Sequence, residues 1–160
     1  TGNSNTVTNT TTETNFTGNN TSYAMPANTP NAGSLLRFLV YGRFNTKTGT
    51  VGTLTIRLKI GTSVINTTVC NLGSSVSNLG FQFTGQIQFR TIGASATVYS
   101  HLLCTFNGNS STPASFVTTS NGTNVVDTTI INTIQMSAQW SSANANNQVT
   151  IEQATFEILN

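Results

Sequence analysis

Along residues 53–60 apolar and polar side chains alternate without a break. Leu54, Ile56, Leu58 and Ile60 fall on one side; Thr53, Thr55, Arg57 and Lys59 fall on the other. A period of two marks a strand with one dry and one wet face, and the dry face requires a second apolar layer. The pattern recurs in residues 81–90, where Phe81, Phe83, Ile87 and Phe89, with Gly85 among them, oppose Gln82, Thr84, Gln86, Gln88 and Arg90. Residues 97–106 turn Val98, Leu102, Cys104 and Phe106 inward and His101 outward, and in residues 134–140 Ile134, Met136, Ala138 and Trp140 share a face. Residues 35–44 place Leu36, Phe38, Val40 and Phe44 on one face, with Leu35, Leu39 and Tyr41 beside Arg37 and Arg43 on the other. Two partly apolar faces suit a central strand, or one that meets another subunit. Residues 63–70 and 116–118 read as weaker strands, and 125–131 lead into 134–140.

The last segment, 149–159, breaks phase. Val149 and Ile151 are odd, whereas Ala154, Phe156 and Ile158 are even. One face holds both sets only if an extra residue is inserted, which predicts a β-bulge near Glu152 and Gln153. Turn signals separate the strands: the stretch from Pro26 to Gly33, Gly61-Thr62, Gly93-Ala94-Ser95 and Asn121-Gly122. No apolar pattern at helical spacing appears. Short strands parted by Gly and Asn turns predict an all-β fold, an antiparallel β-sandwich, with an eight-stranded jelly roll as the leading architecture and an immunoglobulin-like sandwich second. Residues 1–22 are Thr- and Asn-rich and read either as an arm or as an edge strand. Residues 23–160 form one sandwich domain. At 160 residues such a chain buries roughly 70% of its unfolded surface and needs no staples.

Composition sharpens this picture. Only 6% of residues are charged, against about 25% in ordinary domains, so the surface is wetted by amides and hydroxyls. Nine Phe at alternating positions argue for a folded chain rather than a disordered one. The net charge is +2, and Arg37, Arg43, Lys47, Arg57, Lys59 and Arg90 are scattered rather than gathered into a basic stripe, which argues against nucleic acid as a partner. No run reaches membrane-spanning length and no signal peptide is recognisable. A chain opening on Thr reads as a processed product or an excerpt. Cys70 and Cys104 lie on different predicted strands; they read as two small buried hydrophobes that could meet across the sandwich, with a disulfide the less favoured reading.

Chemistry is sparse. His101 is the single histidine and Asp127 the single Asp, and no Ser lies in a nucleophile elbow. Glycosidase chemistry needs two carboxylates across a cleft; Glu152 and Glu157 have opposite parity, Glu13 sits in the N-terminal segment, and surface roles are favoured. No zinc spacing, calcium loop or phosphate-cradling glycine motif is present, so neither a metal nor a cofactor is expected. Arg37, Arg57, Arg90 and Tyr41 are candidates for a subunit interface, where a planar guanidinium is favoured. Tyr99 and His101 are candidates for ligand contact. Sequons occur at Asn9, Asn15, Asn19, Asn20, Asn66, Asn109 and Asn121; most follow from the composition.

From residue 23 onward the chain resembles a jelly-roll domain of tailed-bacteriophage structural proteins. The likeness is carried by Tyr23-Ala24-Met25-Pro26-Ala27-Asn28-Thr29, by Leu54-Thr55-Ile56-Arg57-Leu58-Lys59-Ile60-Gly61, by Asp127-Thr128-Thr129, Asn132-Thr133-Ile134 and Ala138-Gln139-Trp140-Ser141, and by Val149-Thr150-Ile151 with Phe156-Glu157-Ile158. The resemblance implies a trimeric, non-enzymatic virion component, either a capsid decoration or head fibre or a tail-fibre domain, located in the virion and touching other virion proteins. An alternative is a receptor- or carbohydrate-binding tip that meets a host-surface glycan. Its candidate platforms are Tyr23, Tyr41, Tyr99 and Trp140, although Trp140 falls on the apolar parity.

Overall fold

Alternation places the long strands where a computed structural model, which describes residues 2–18, 20–107, 114–120 and 124–159, shows them. In chain order the described residues form β1 (Val7–Thr8), β2 (Thr14–Asn15), β3 (Ser22–Met25), β4 (Leu35–Asn45), β5 (Thr53–Ile60), β6 (Ser63–Asn71), β7 (Leu79–Phe89), β8 (Ala96–Phe106), β9 (Ala114–Thr119), β10 (Asn124–Val126), β11 (Asn132–Trp140) and β12 (Gln148–Leu159). The Asn121-Gly122 turn and the sequons at Asn19, Asn109 and Asn121 lie outside the described residues.

Two antiparallel sheets face each other. The larger, of seven strands, runs β1-β12-β4-β7-β8-β10, with β9 also on β8; the smaller, of five, runs β2-β11-β5-β6, with β3 also on β11. The fold is therefore an all-β antiparallel sandwich, as the alternation required. Connections β4→β5, β6→β7, β10→β11 and β11→β12 cross between sheets, while β5→β6 and β7→β8 are hairpins within one sheet.

The inward residues named from periodicity make the core. Leu54, Ile56, Leu58, Phe83, Ile87, Leu102, Ile134 and Trp140 are fully buried, and Phe44, Phe81, Phe83 and Phe106 meet ring against ring. The phase break in β12 is resolved as predicted. Pairing with β4 shifts between Ile151 and Gln153, and Ala154, Phe156 and Ile158 then pack against the same core. Cys70 and Cys104 are free and fully buried. They meet across the two sheets, where a thiol–thiol hydrogen bond and burial push the Cys104 pKa far up.

Two features are not written in the alternation itself. A second bulge lies where Leu58 faces Asn66 and Lys59 faces Val64; the extra residue, Ile65, turns both itself and Asn66 inward. Asn66 is satisfied there by Ser100 Oγ (3.2 Å) and by the Thr118 hydroxyl, which donates to Asn66 Oδ1 (2.8 Å). Burial also removes Asn66 as an accessible glycosylation site in the folded chain. The second feature is the segment of residues 2–18. β1 pairs with β12 in one sheet and β2 with β11 in the other, so this segment bridges the two sheets along one side of the sandwich. Val7 and Phe16 are its buried anchors, and the buried Trp140 donates its indole N–H to the Val7 carbonyl (3.1 Å). Trp140 is thus a core residue, as its parity indicated, and offers no platform to a ligand.

Candidate binding face on the larger sheet

Side chains of alternate residues on β12, β4, β7 and β8 form rows across the outer face of the larger sheet, because antiparallel register sets them side by side. One row runs Gln153, Tyr41, Gln82, Thr105; the next Thr155, Leu39, Thr84, Leu103; the next Glu157, Arg37, Gln86, His101; and the last Leu159, Leu35, Gln88, Tyr99. Of the residues singled out from sequence, Arg37, Tyr41, Tyr99 and His101 are thereby gathered on one surface. Arg90 joins them just past the end of β7, its guanidinium 4.9 Å above the Tyr99 ring, a cation–π contact that orients both groups.

Arg57 does not belong to this surface. It lies on the outer face of the smaller sheet, and its partners are within its own chain. Arg57 Nη2 donates to Gln139 Oε1 (2.8 Å), and Nη1 lies 3.6 Å from Glu13 Oε2 without a hydrogen bond to it. Glu13 also accepts from Lys59 Nζ (3.1 Å) and from the Ser137 hydroxyl (2.7 Å). Those contacts, the Ser137 hydrogen bond foremost, hold the Glu13 carboxyl below its ordinary pKa. Glu13 is accordingly a clasp for the N-terminal segment rather than a tail residue.

The outer face of the larger sheet carries two depressions. The first, of about 470 Å³, is lined by Tyr41, Arg43, Gln82, Thr105, Asn107 and Glu152. It opens because Gly80, the neighbour of Arg43 across β4 and β7, has no side chain to fill the row. Glu152 accepts from Arg43 Nε at 3.1 Å, and Arg43 Nη1 donates to the Asn78 carbonyl at 3.3 Å, so the guanidinium is tied in place at two points. The second, of about 300 Å³, is lined by Arg37, Leu39, Thr84, Gln86, Thr155 and Glu157 around Gly85. Each offers amide, hydroxyl, guanidinium and carboxylate groups beside an apolar surface, Tyr41 in one and Leu39 in the other. Amides both donate and accept, carboxylates accept and guanidinium donates, so either depression can satisfy a ligand rich in hydroxyls.

The bulge brings Glu152 and Glu157 to the same face, but into different depressions. Their backbones lie five residue steps apart along the strand, roughly 17 Å at about 3.4 Å per step. Arg43, Gln82, Thr105, Asn107 and Glu152 were not anticipated as neighbours. Glycines inside strands, Gly42, Gly80 and Gly85, were the available signal. Among the described residues no group of three or more His, Cys, Asp or Glu is placed to hold a metal, and no helix is long and apolar enough to cross a membrane.

A scan against protein-family models finds no match to the chain, and neither does a search of curated proteins. Among solved structures it is similar to the CBM2 module of the evolved Dit of Lactobacillus casei BL23 phage J-1, at a TM-score of 0.35 and 10% identity. The match covers 84% of this chain and 66% of that one, so the chain spans just under two thirds of its neighbour. A likeness this distant carries no inference about ligand or partner.

Proposed function

We propose that the protein is a non-enzymatic structural domain of a bacteriophage particle and that the outer face of its larger sheet binds carbohydrate on the host surface. The observation that carries the binding role is the depression at Tyr41. An exposed aromatic ring, the Gln82 and Asn107 amides, the Thr105 hydroxyl and the fixed Arg43–Glu152 pair converge there without a large apolar pocket. A sugar ring presents C–H groups to an aromatic face and hydroxyls to amides and carboxylates, which is the combination on offer. Glycoside hydrolysis in particular is disfavoured, because Glu152 and Glu157 lie roughly 17 Å apart along the backbone, whereas that chemistry sets its two carboxyl groups about 5–9.5 Å apart.

The particle setting rests on the resemblance of residues 23–158 to phage jelly-roll domains. In that setting the chain works as a homo-oligomer against other capsid or fibre proteins. Head decoration and tail-fibre tip are the two finer readings, and a glycan-binding face favours the tip.

A glycan array probed with the wild-type chain, Tyr41→Ala, Gln82→Ala and Val69→Ala tests the binding role. Val69 is exposed on the smaller sheet and serves as the control. Binding that falls about tenfold or more for Tyr41→Ala and Gln82→Ala and persists in Val69→Ala is expected, since tenfold corresponds to about 1.4 kcal/mol. No glycan bound, or binding indifferent to both variants, overturns the carbohydrate assignment.

A further inference from the structure

Among the described residues, residues 153–159 of β12 form an open edge. The N-terminal segment follows β12 only to Ile151, which exchanges hydrogen bonds with Ser4 (Ser4 N–H to Ile151 O, 2.8 Å; Ile151 N–H to Ser4 Oγ, 2.8 Å). Beyond the bulge, β12 pairs with β4 alone among the described residues. The inner side of the same stretch is under-covered. Ala154, Phe156 and Ile158 are only partly buried, although Val149 and Ile151 earlier on the strand are fully buried. The Tyr23 ring, stacked 6.3 Å from Phe156, shields one side of it. Natural sheets blunt such edges with Lys, Pro, a bulge or a covering segment. Residues 153–159 contain neither Lys nor Pro, and the bulge precedes them.

We propose that this edge pairs antiparallel with the same edge of a second copy, about a two-fold axis at Phe156. Parity and charge together select the register. Directly paired residues share a face, so paired positions must have the same parity. An axis at Glu157 would set that carboxylate against its own copy, which is destabilising. An axis at Thr155 would run Ile158 against the bulge at Glu152. An axis at Phe156 pairs Ala154 with Ile158 and Phe156 with itself on the inner face, and Thr155 with Glu157 and Gln153 with Leu159 on the outer face. No like charges stand directly opposite each other, the two Glu157 carboxylates being only diagonal neighbours about 7–8 Å apart, and the half-covered apolar row is completed by an identical row. Such a contact is isologous and closed. It yields a dimer rather than the trimer implied by the resemblance, and it joins the outer faces of two larger sheets into one continuous surface. The pairing is independent of what that surface binds.

Sedimentation velocity of the chain across micromolar concentrations tests this, with Thr155→Glu and Thr155→Lys as the discriminating variants. Thr155 is exposed, so both variants retain the wild-type circular dichroism spectrum. Each dimer contains the Thr155–Glu157 pair twice. Thr155→Glu should therefore weaken dimerisation by about two- to thirtyfold, and Thr155→Lys should strengthen it by a similar factor. A monomer throughout, a trimer, or a dimer whose dissociation constant ignores both charges overturns the proposal.

Discussion

The Phe38 ring occupies the space above Gly85, its direct partner across β4 and β7, and a methyl group at Gly85 would collide with that ring and with the His101 carbonyl. Phe81 and Gly42 repeat the arrangement four residues along the same two strands, with the aromatic on β7 and the glycine on β4. The two pairs let large rings lie flat against the sheet. Gly85→Ala and Gly42→Ala are expected to lower stability by about 1–3 kcal/mol through overpacking. Gly73→Ala, where nothing stands in the way, should change it by less than about 0.5 kcal/mol. Urea denaturation of the three variants checks the contrast.

Trp140 ties the N-terminal segment to the core through its bond to the Val7 carbonyl. Trp140→Phe keeps an aromatic ring but removes the donor. It should cost about 1–3 kcal/mol, the penalty for leaving a buried polar group without that partner. Limited proteolysis should then cut residues 2–18 earlier than in the wild type.

Glu13 gives the stability a pH dependence of defined sign. Its carboxyl is held below the ordinary value of 4.5, chiefly by the Ser137 hydroxyl and then by Lys59 and Arg57. As pH falls, the unfolded chain therefore takes up this proton before the folded chain does. The contribution is complete above the ordinary value and is lost as pH falls through the lowered one. Melting temperatures of wild type and Glu13→Gln should differ most near neutral pH and converge below that window.

Cys70 and Cys104 should be silent towards a thiol reagent in the native state, because both are fully buried and the Cys104 thiol resists ionisation. Both should react once the chain is unfolded in denaturant. A native chain that loses thiol titre at the rate of a free cysteine would contradict the packing described for the β6–β8 contact.

Periodicity made most of the fold legible because β4, β5, β7, β8 and β11 each bury one face against the opposite sheet, and a half-buried strand writes that fact into every second residue. Even the bulge in β12 was written as a change of phase. The bulge at Ile65 was not, since Asn66 and Thr68 are polar residues turned inward and satisfied by Ser100 and Thr118 on other strands. β1 and β2 are two residues each, too short to show any period; their order comes from Val7, Phe16 and Glu13 reaching distant partners. The candidate face was half legible. Parity showed that Arg37, Tyr41, Tyr99 and His101 point outward, but not that β12, β4, β7 and β8 lie side by side. Strand order also sends Arg57 to the opposite sheet.

The bridge built by residues 2–18 sets a schedule for folding. Trp140 and Val7 are 133 positions apart, and β1 has no sheet to join until β12 exists. During synthesis, therefore, residues 2–18 leave the ribosome well before β12 and wait unpaired for it, since closure over such long range comes late and slowly. A stretch of Thr and Asn, with Val7 and Phe16 as its only bulky apolar residues, stays soluble through that wait.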